Sequence, residues 1–165
     1  GMDTSTEMGP LVSNEQFQKV SGYIESGKSD GGEILAGGKY DNSEGGHFVH
    51  PTVFAKTNAD MSIVKEEIFG PVLCAQPFSD QDLDKIAEAA NNTNYGLAAS
   101  VWSKDISTAH KLAGKIRAGT VWINCHNIFD ASLPFGGYKE SGWGREMGHE
   151  VLHAYTELKA VTVNL

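Results

Sequence analysis

The chain is short of positive charge. Its 13 lysines and arginines face 21 aspartates and glutamates, for a net charge of −8. No basic stripe exists to meet phosphates, which argues against nucleic acid as a partner. Long apolar runs are also missing. None approaches the ~20 residues that span a bilayer, so no membrane partner is expected. The first residues, Gly1-Met2-Asp3-Thr4-Ser5, have no basic flank and no apolar stretch, and do not read as a signal peptide. Cysteine occurs only as Cys74 and Cys125. Two cysteines make no disulfide framework, and a reduced cytoplasmic protein is the simpler reading. No internal repeat is visible.

What is present suits a folded protein. With 165 residues, 40% hydrophobic and 21% charged, the composition is that of an ordinary globular chain. A chain near this size hides about 70% of its unfolded surface. The 19 glycines cluster in turns rather than in a low-complexity tract.

Ser13-Asn14-Glu15-Gln16 reads as a helix N-cap with a capping-box glutamine. Phe17, Val20, Ser21 and Ile24 come next at helical spacing, and Gly27 is placed to close the helix, with a turn over 28–32. Short strands are expected at Glu33–Ala36 and Thr52–Ala55. The middle of the chain has the clearest periodicity. Pro71 to Phe78 reads as a strand. Ser79 is placed to cap a helix with Leu83, Ile86, Ala87 and Ala90 on one face. Leu97 to Trp102 is the next strand. A second helix carries Ala109, Leu112, Ala113 and Ile116 and ends before Gly119, and Thr120–Ile123 is a third strand. The β-α-β-α-β order predicts parallel strands in one sheet, hence an α/β fold with a mostly parallel sheet flanked by helices. Asn124 to Gly148 is a long glycine-rich loop, and loops of that length in compact domains are usually functional. Thr156 to Val163 alternates around Leu158, Val161 and Val163 and reads as a final strand.

Two strings carry most of the chemical information. One is Glu66-Glu67-Ile68-Phe69-Gly70-Pro71-Val72. The other is Leu133-Pro134-Phe135-Gly136-Gly137-Tyr138-Lys139-Glu140-Ser141-Gly142-Trp143-Gly144-Arg145-Glu146. From charge pattern alone, Glu66 and Glu67 are solvated loop acids and Phe69 is a core residue. Taken whole and in this order, the strings closely resemble the C-terminal part of NAD(P)-dependent aldehyde dehydrogenases. The resemblance runs from about Glu7-Met8-Gly9-Pro10-Leu11-Val12 to the end of the chain. It implies the C-terminal part of a catalytic domain over 1–155 and an oligomerisation strand over 156–165, with a homo-oligomer formed through that strand.

The resemblance also implies roles. Glu67 would accept hydrogen bonds from the ribose hydroxyls next to the nicotinamide of NAD or NADP, and a carboxylate suits a vicinal diol because two acceptor oxygens face two donors. Phe69 would pack beside the nicotinamide ring. Asn124 to Phe135 resembles the family's aldehyde-pocket loop, with Phe129 and Phe135 where relatives line the substrate tunnel; core packing is the alternative reading. His126 and Asp130 are less typical, and the segment looks most like the phenylacetaldehyde-type branch. The implied reaction oxidises an aldehyde to a carboxylic acid: a cysteine thiolate attacks, hydride passes to NAD(P)+, and water releases the acyl group. In the family the attacking cysteine and the dinucleotide-binding fold lie upstream, so no catalytic residue is assigned here and the chain is expected to be inactive alone. A stand-alone, non-catalytic binding or oligomerisation module is the rival.

Three other features weigh less. Gly142-Trp143-Gly144 fails the G-x-G-x-x-G fingerprint, because Met147 stands where the third glycine belongs. Cys74 in a strand and Cys125 at a strand end read as packing residues rather than nucleophiles. His149-Glu150-Val151-Leu152-His153 matches H-E-x-x-H, which on a helix would place two histidines on one face for zinc and make a hydrolase. The flanking residues fit the dehydrogenase ending instead, so no metal is expected.

Overall fold

In the computed structural model of the chain, which describes residues 3–42, 45–78 and 82–165, Ser13 opens the first helix. Its Oγ accepts from the Gln16 N–H at 3.2 Å, and α1 runs Asn14–Ser29. Gly27 does not close the helix. It lies inside α1, where a Cβ would come within 2.8 Å of Ile63 and 2.9 Å of Phe54, so packing rather than termination requires glycine. The expected turn over 28–32 shortens accordingly. Asp30 caps α1, and Gly31, at φ 90°, makes the left-handed turn.

The chain forms two compact units, residues 1–79 and residues 80–165. In the first, α1 is succeeded by β1 (Glu33–Ala36), β2 (Tyr40–Asp41), β3 (Phe48–Val49), β4 (Thr52–Ala55), α2 (Ser62–Lys65) and β5 (Val72–Cys74). The strand expected over 71–78 is therefore shorter, because β5 pairs only with Thr52, Val53 and Phe54 of β4. The sheet order is β1-β4-β5, with β1–β4 antiparallel and β4–β5 parallel; β2 and β3 form a separate antiparallel pair. β4 turns Thr52 and Phe54 inward. Phe54 joins Phe17, Val20, Ile24, Val49, Met61, Ile63 and Ile68 in one buried cluster. Each such side chain contributes about 1.5–3 kcal/mol by leaving water.

The second unit holds α3 (Leu83–Asn91), β6 (Tyr95–Gly96), β7 (Ala98–Val101), α4 (Ile106–Lys115), β8 (Thr120–Ile123), β9 (Tyr138–Lys139) and α5 (Leu152–Tyr155). Ser79, expected to cap α3, lies outside the described residues; Asp82 is the N-cap and accepts from the Asp84 N–H at 2.9 Å. Asp105 caps α4 in the same way, through Ser107 and Thr108. β7 and β8 pair in parallel over four residues. β5 takes β4 as its partner, so the expected run of three strands is divided between two sheets. Strand periodicity shows which face is buried but not which neighbour completes the ladder.

The long loop after β8 carries structure of its own. β9 pairs antiparallel with β6, and Phe135 and Glu146 exchange two backbone hydrogen bonds of 2.7 Å. Gly119 lets the loop close down: a Cβ there would stand 1.6 Å from the Gly136 carbonyl oxygen. Residues 156–165 leave α5 in extended conformation at Thr156, and no described strand pairs with them. Among the described residues, no helix is long and apolar enough to cross a membrane.

Candidate functional site

In the first unit, the turn over 66–70 is built against one stripe of α1. The Tyr23 hydroxyl donates to Glu66 Oε2 at 2.6 Å. Ile68 is buried in the core. Gly70 lies so close to Val20 that a Cβ would come within 2.6 Å of its methyl group. The Gln16 amide nitrogen donates to the carbonyls of Phe69 at 2.9 Å and Ile68 at 3.3 Å. Gln16, Val20 and Tyr23 are spaced i, i+4, i+7, which puts them on one face of the helix.

Both predicted residues of this turn are open to solvent. Glu66 and Ile68 are tied down, while Glu67 is exposed and Phe69 is 72% exposed. The core-residue reading of Phe69 is thereby corrected. Its backbone is left-handed, at φ 50°, a conformation rare for a bulky residue and found where surrounding structure over-determines it. Among the described residues, the Glu67 carboxylate has no hydrogen-bond or ion-pair partner. An exposed carboxylate and an exposed aromatic ring thus stand two residues apart on one anchored turn.

In the second unit, the loop leaves β8 through two left-handed asparagines, Asn124 at φ 55° and Asn127 at φ 57°. Asparagine tolerates this region because its short amide bonds locally. Here Asn124 exchanges two side-chain hydrogen bonds of 2.9 Å with the Ser103 backbone. Trp122, itself buried, donates its indole N–H to the Ile128 carbonyl at 2.7 Å and folds the loop back over the strand.

That fold-back brings Phe129 and Phe135 together. Their ring centroids are 5.1 Å apart, edge to face, and Phe129 meets Trp122 at 5.7 Å. Both phenylalanines line a cavity of about 320 Å³ with Trp122, Cys125, Asp130 and Met147. The Asp130 carboxyl is held below its ordinary value by the Ser132 backbone N–H and then the Ser132 hydroxyl, so it stays ionised at the wall. His126 instead packs against the Trp122 ring, and its Nδ1 is 2.7 Å from the Ser100 hydroxyl. Trp122 is not legible in the sequence as a pocket residue, since a tryptophan within a strand reads as core.

The remaining candidates resolve by geometry. The Cys74 thiol donates to the Ile63 carbonyl at 3.2 Å, and burial raises its pKa, which disfavours the thiolate a nucleophile needs. α5 begins at Leu152, and the backbone carbonyls of His149, Glu150 and Val151 accept from the N–H groups of Leu152, His153 and Ala154 in the tight turn that leads into it. Among the described residues, no three histidine, cysteine, aspartate or glutamate side chains gather as metal ligands.

The aldehyde dehydrogenase family model matches residues 1–161. This chain belongs to the aldehyde dehydrogenase family. It is 48% identical over 163 residues to the human mitochondrial aldehyde dehydrogenase, covering 99% of this chain and 31% of that protein. Among solved structures, the NAD+ complex of a Bacillus cereus aldehyde dehydrogenase is 52% identical with a TM-score of 0.91, covering 99% of this chain and 33% of that one. An indole-3-acetaldehyde dehydrogenase solved with NAD+ is 43% identical with a TM-score of 0.92, over the same shares. The mixed α/β architecture is that of these relatives. The chain spans about a third of the length of the aldehyde dehydrogenases it matches.

Proposed function

We propose that these residues serve an enzyme that oxidises aldehydes to carboxylic acids with NAD(P)+. In it, Glu67 holds the nicotinamide-side ribose, Phe69 flanks the ring, and Phe129 and Phe135 line the aldehyde tunnel. The observation that carries this reading is the outward, core-anchored presentation of Glu67 and Phe69. Without a partner among the described residues, the Glu67 carboxylate offers two acceptor oxygens to two ribose hydroxyls, and the cofactor, when bound, would supply the hydride acceptor. The aromatic pair supports an arylaldehyde as substrate, since edge-to-face rings present both an edge and a face to an incoming ring.

The assembly reading is that residues 156–165 pair with another copy of the chain. Leu158, Val161 and Val163 are exposed on a segment that follows the extended Thr156, which supports strand addition. Two free cysteines accord with a reduced, cytoplasmic setting.

The test is Glu67→Gln in a complete dehydrogenase carrying these residues. Loss of a charge-assisted hydrogen bond, about 1.5–3 kcal/mol, is expected to slow hydride transfer roughly 10- to 100-fold. Unchanged turnover and cofactor affinity would remove the assignment. The 165 residues alone are expected to make no NADH from NAD+ and phenylacetaldehyde. Turnover that Cys125→Ser abolishes would overturn that expectation.

A further inference from the structure

We propose that Gln16 is a positioning residue for the cofactor-facing turn: its side-chain amide holds the carbonyls of Ile68 and Phe69 and so fixes where Glu67 and Phe69 stand. This rests on the cofactor-binding roles proposed for Glu67 and Phe69.

At the third position of a helix behind a serine N-cap, a glutamine side chain ordinarily returns to the N-cap backbone N–H. Ser13 does its half, accepting from Gln16 N at 3.2 Å. The Gln16 side chain does not return. Its Nε2 stands 2.9 Å from the Phe69 oxygen and 3.3 Å from the Ile68 oxygen, more than fifty residues along the chain. An amide NH2 carries two donors, which matches two carbonyls.

The place held is the strained one. Phe69 is in the left-handed region at φ 50°, and its ring is exposed, so ring packing does not account for that backbone. Tyr23 holds Glu66 and Val20 backs Gly70, which leaves the peptides on either side of Phe69 to Gln16. Glu67 lies between the Glu66 and Ile68 anchors. Its carboxylate can meet a diol reproducibly only if both anchors stay in place.

One substitution separates positioning from helix stability. Gln16→Glu keeps length and shape and puts an acid in the first turn, where capping and the helix dipole both favour it. It also replaces the donor with oxygens that repel two carbonyls. The comparison uses a complete dehydrogenase chain carrying these residues, as parent, Q16E, E67Q and the double variant. For Q16E, a thermal midpoint at or above the parent's is expected. KM for NAD(P)+ should rise and hydride transfer should slow, together by at least the roughly two- to twelvefold that one of the two neutral hydrogen bonds is worth. KM for aldehyde at saturating cofactor should hold. The double variant should be little worse than E67Q, because both changes act through one contact. If Q16E matches the parent in cofactor KM and hydride transfer while E67Q is impaired, the positioning role is wrong and the Glu67 reading stands. If E67Q is also unimpaired, the Glu67 reading falls and the positioning role with it. A lowered midpoint in Q16E with equal losses toward cofactor and aldehyde, additive with E67Q, would mark Gln16 as merely structural and overturn the proposal.

Discussion

Phe129 and Phe135 meet edge to face, 5.1 Å between ring centroids, across the wall of one cavity. An aromatic contact of this kind is worth about 0.5–1.5 kcal/mol beyond burial, or roughly 2- to 12-fold in binding. Replacing either with alanine is expected to raise KM for phenylacetaldehyde by at least that factor and to leave KM for acetaldehyde much less changed. Steady-state kinetics with the two aldehydes check this. Equal effects on both would favour a packing role.

Two glycines near each other in sequence should respond in opposite directions. Gly114 lies within α4 with nothing within 4 Å of a built Cβ. Gly114→Ala is expected to stabilise the fold by about 0.5–1 kcal/mol, because alanine loses less backbone entropy in a helix. Gly119→Ala would drive a methyl group onto the Gly136 carbonyl oxygen at 1.6 Å. At least the 1–3 kcal/mol typical of overpacking is expected to be lost. Urea unfolding of the two variants measures both.

Much of the fold is legible in the sequence, for reasons that differ by element. β1, β4 and β8 fall on the residues the apolar pattern marks, because short runs between turn residues leave little choice of boundary. Gly27 misleads because glycine is read as a stop, whereas here the Phe54 ring leaves room for no side chain. The pairing of β5 is not legible, since a buried strand satisfies its face whichever neighbour completes its ladder. Phe129 and Phe135 are legible only through the motif around them. Gln16 reads as half of a local cap, and its long-range partner is invisible to any pattern of nearby residues.

Asp105 makes the acid limb of stability testable. Its pKa is lowered by the Thr108 hydroxyl and then the Ser107 N–H. A depressed carboxyl stabilises the fold above its unfolded value and loses that contribution as pH falls through the folded value. Asp105→Asn keeps a capping acceptor but cannot titrate. The difference in unfolding free energy between pH 7 and pH 3 is therefore expected to be smaller in the variant. An unchanged difference would show that the cap is not coupled to protonation.

The exposed tail gives an assembly prediction. Val161→Asp places a charge on the exposed segment 156–165, where a strand pair would bury it. Mass measurement in solution should show a shift toward monomer. A mass distribution identical to the parent's would exclude this segment from the interface.

The central claim is a contact between the Glu67 carboxylate and the two hydroxyls of the nicotinamide-side ribose. Its most direct measurement is the dissociation constant of NAD+, and of an analogue lacking those hydroxyls, for a complete dehydrogenase with Glu67 and with Glu67→Gln. The substitution is expected to weaken NAD+ roughly tenfold or more and to leave the analogue's affinity unchanged, since one partner of the hydrogen bond is already gone. Equal weakening of both ligands, or of neither, would contradict the account.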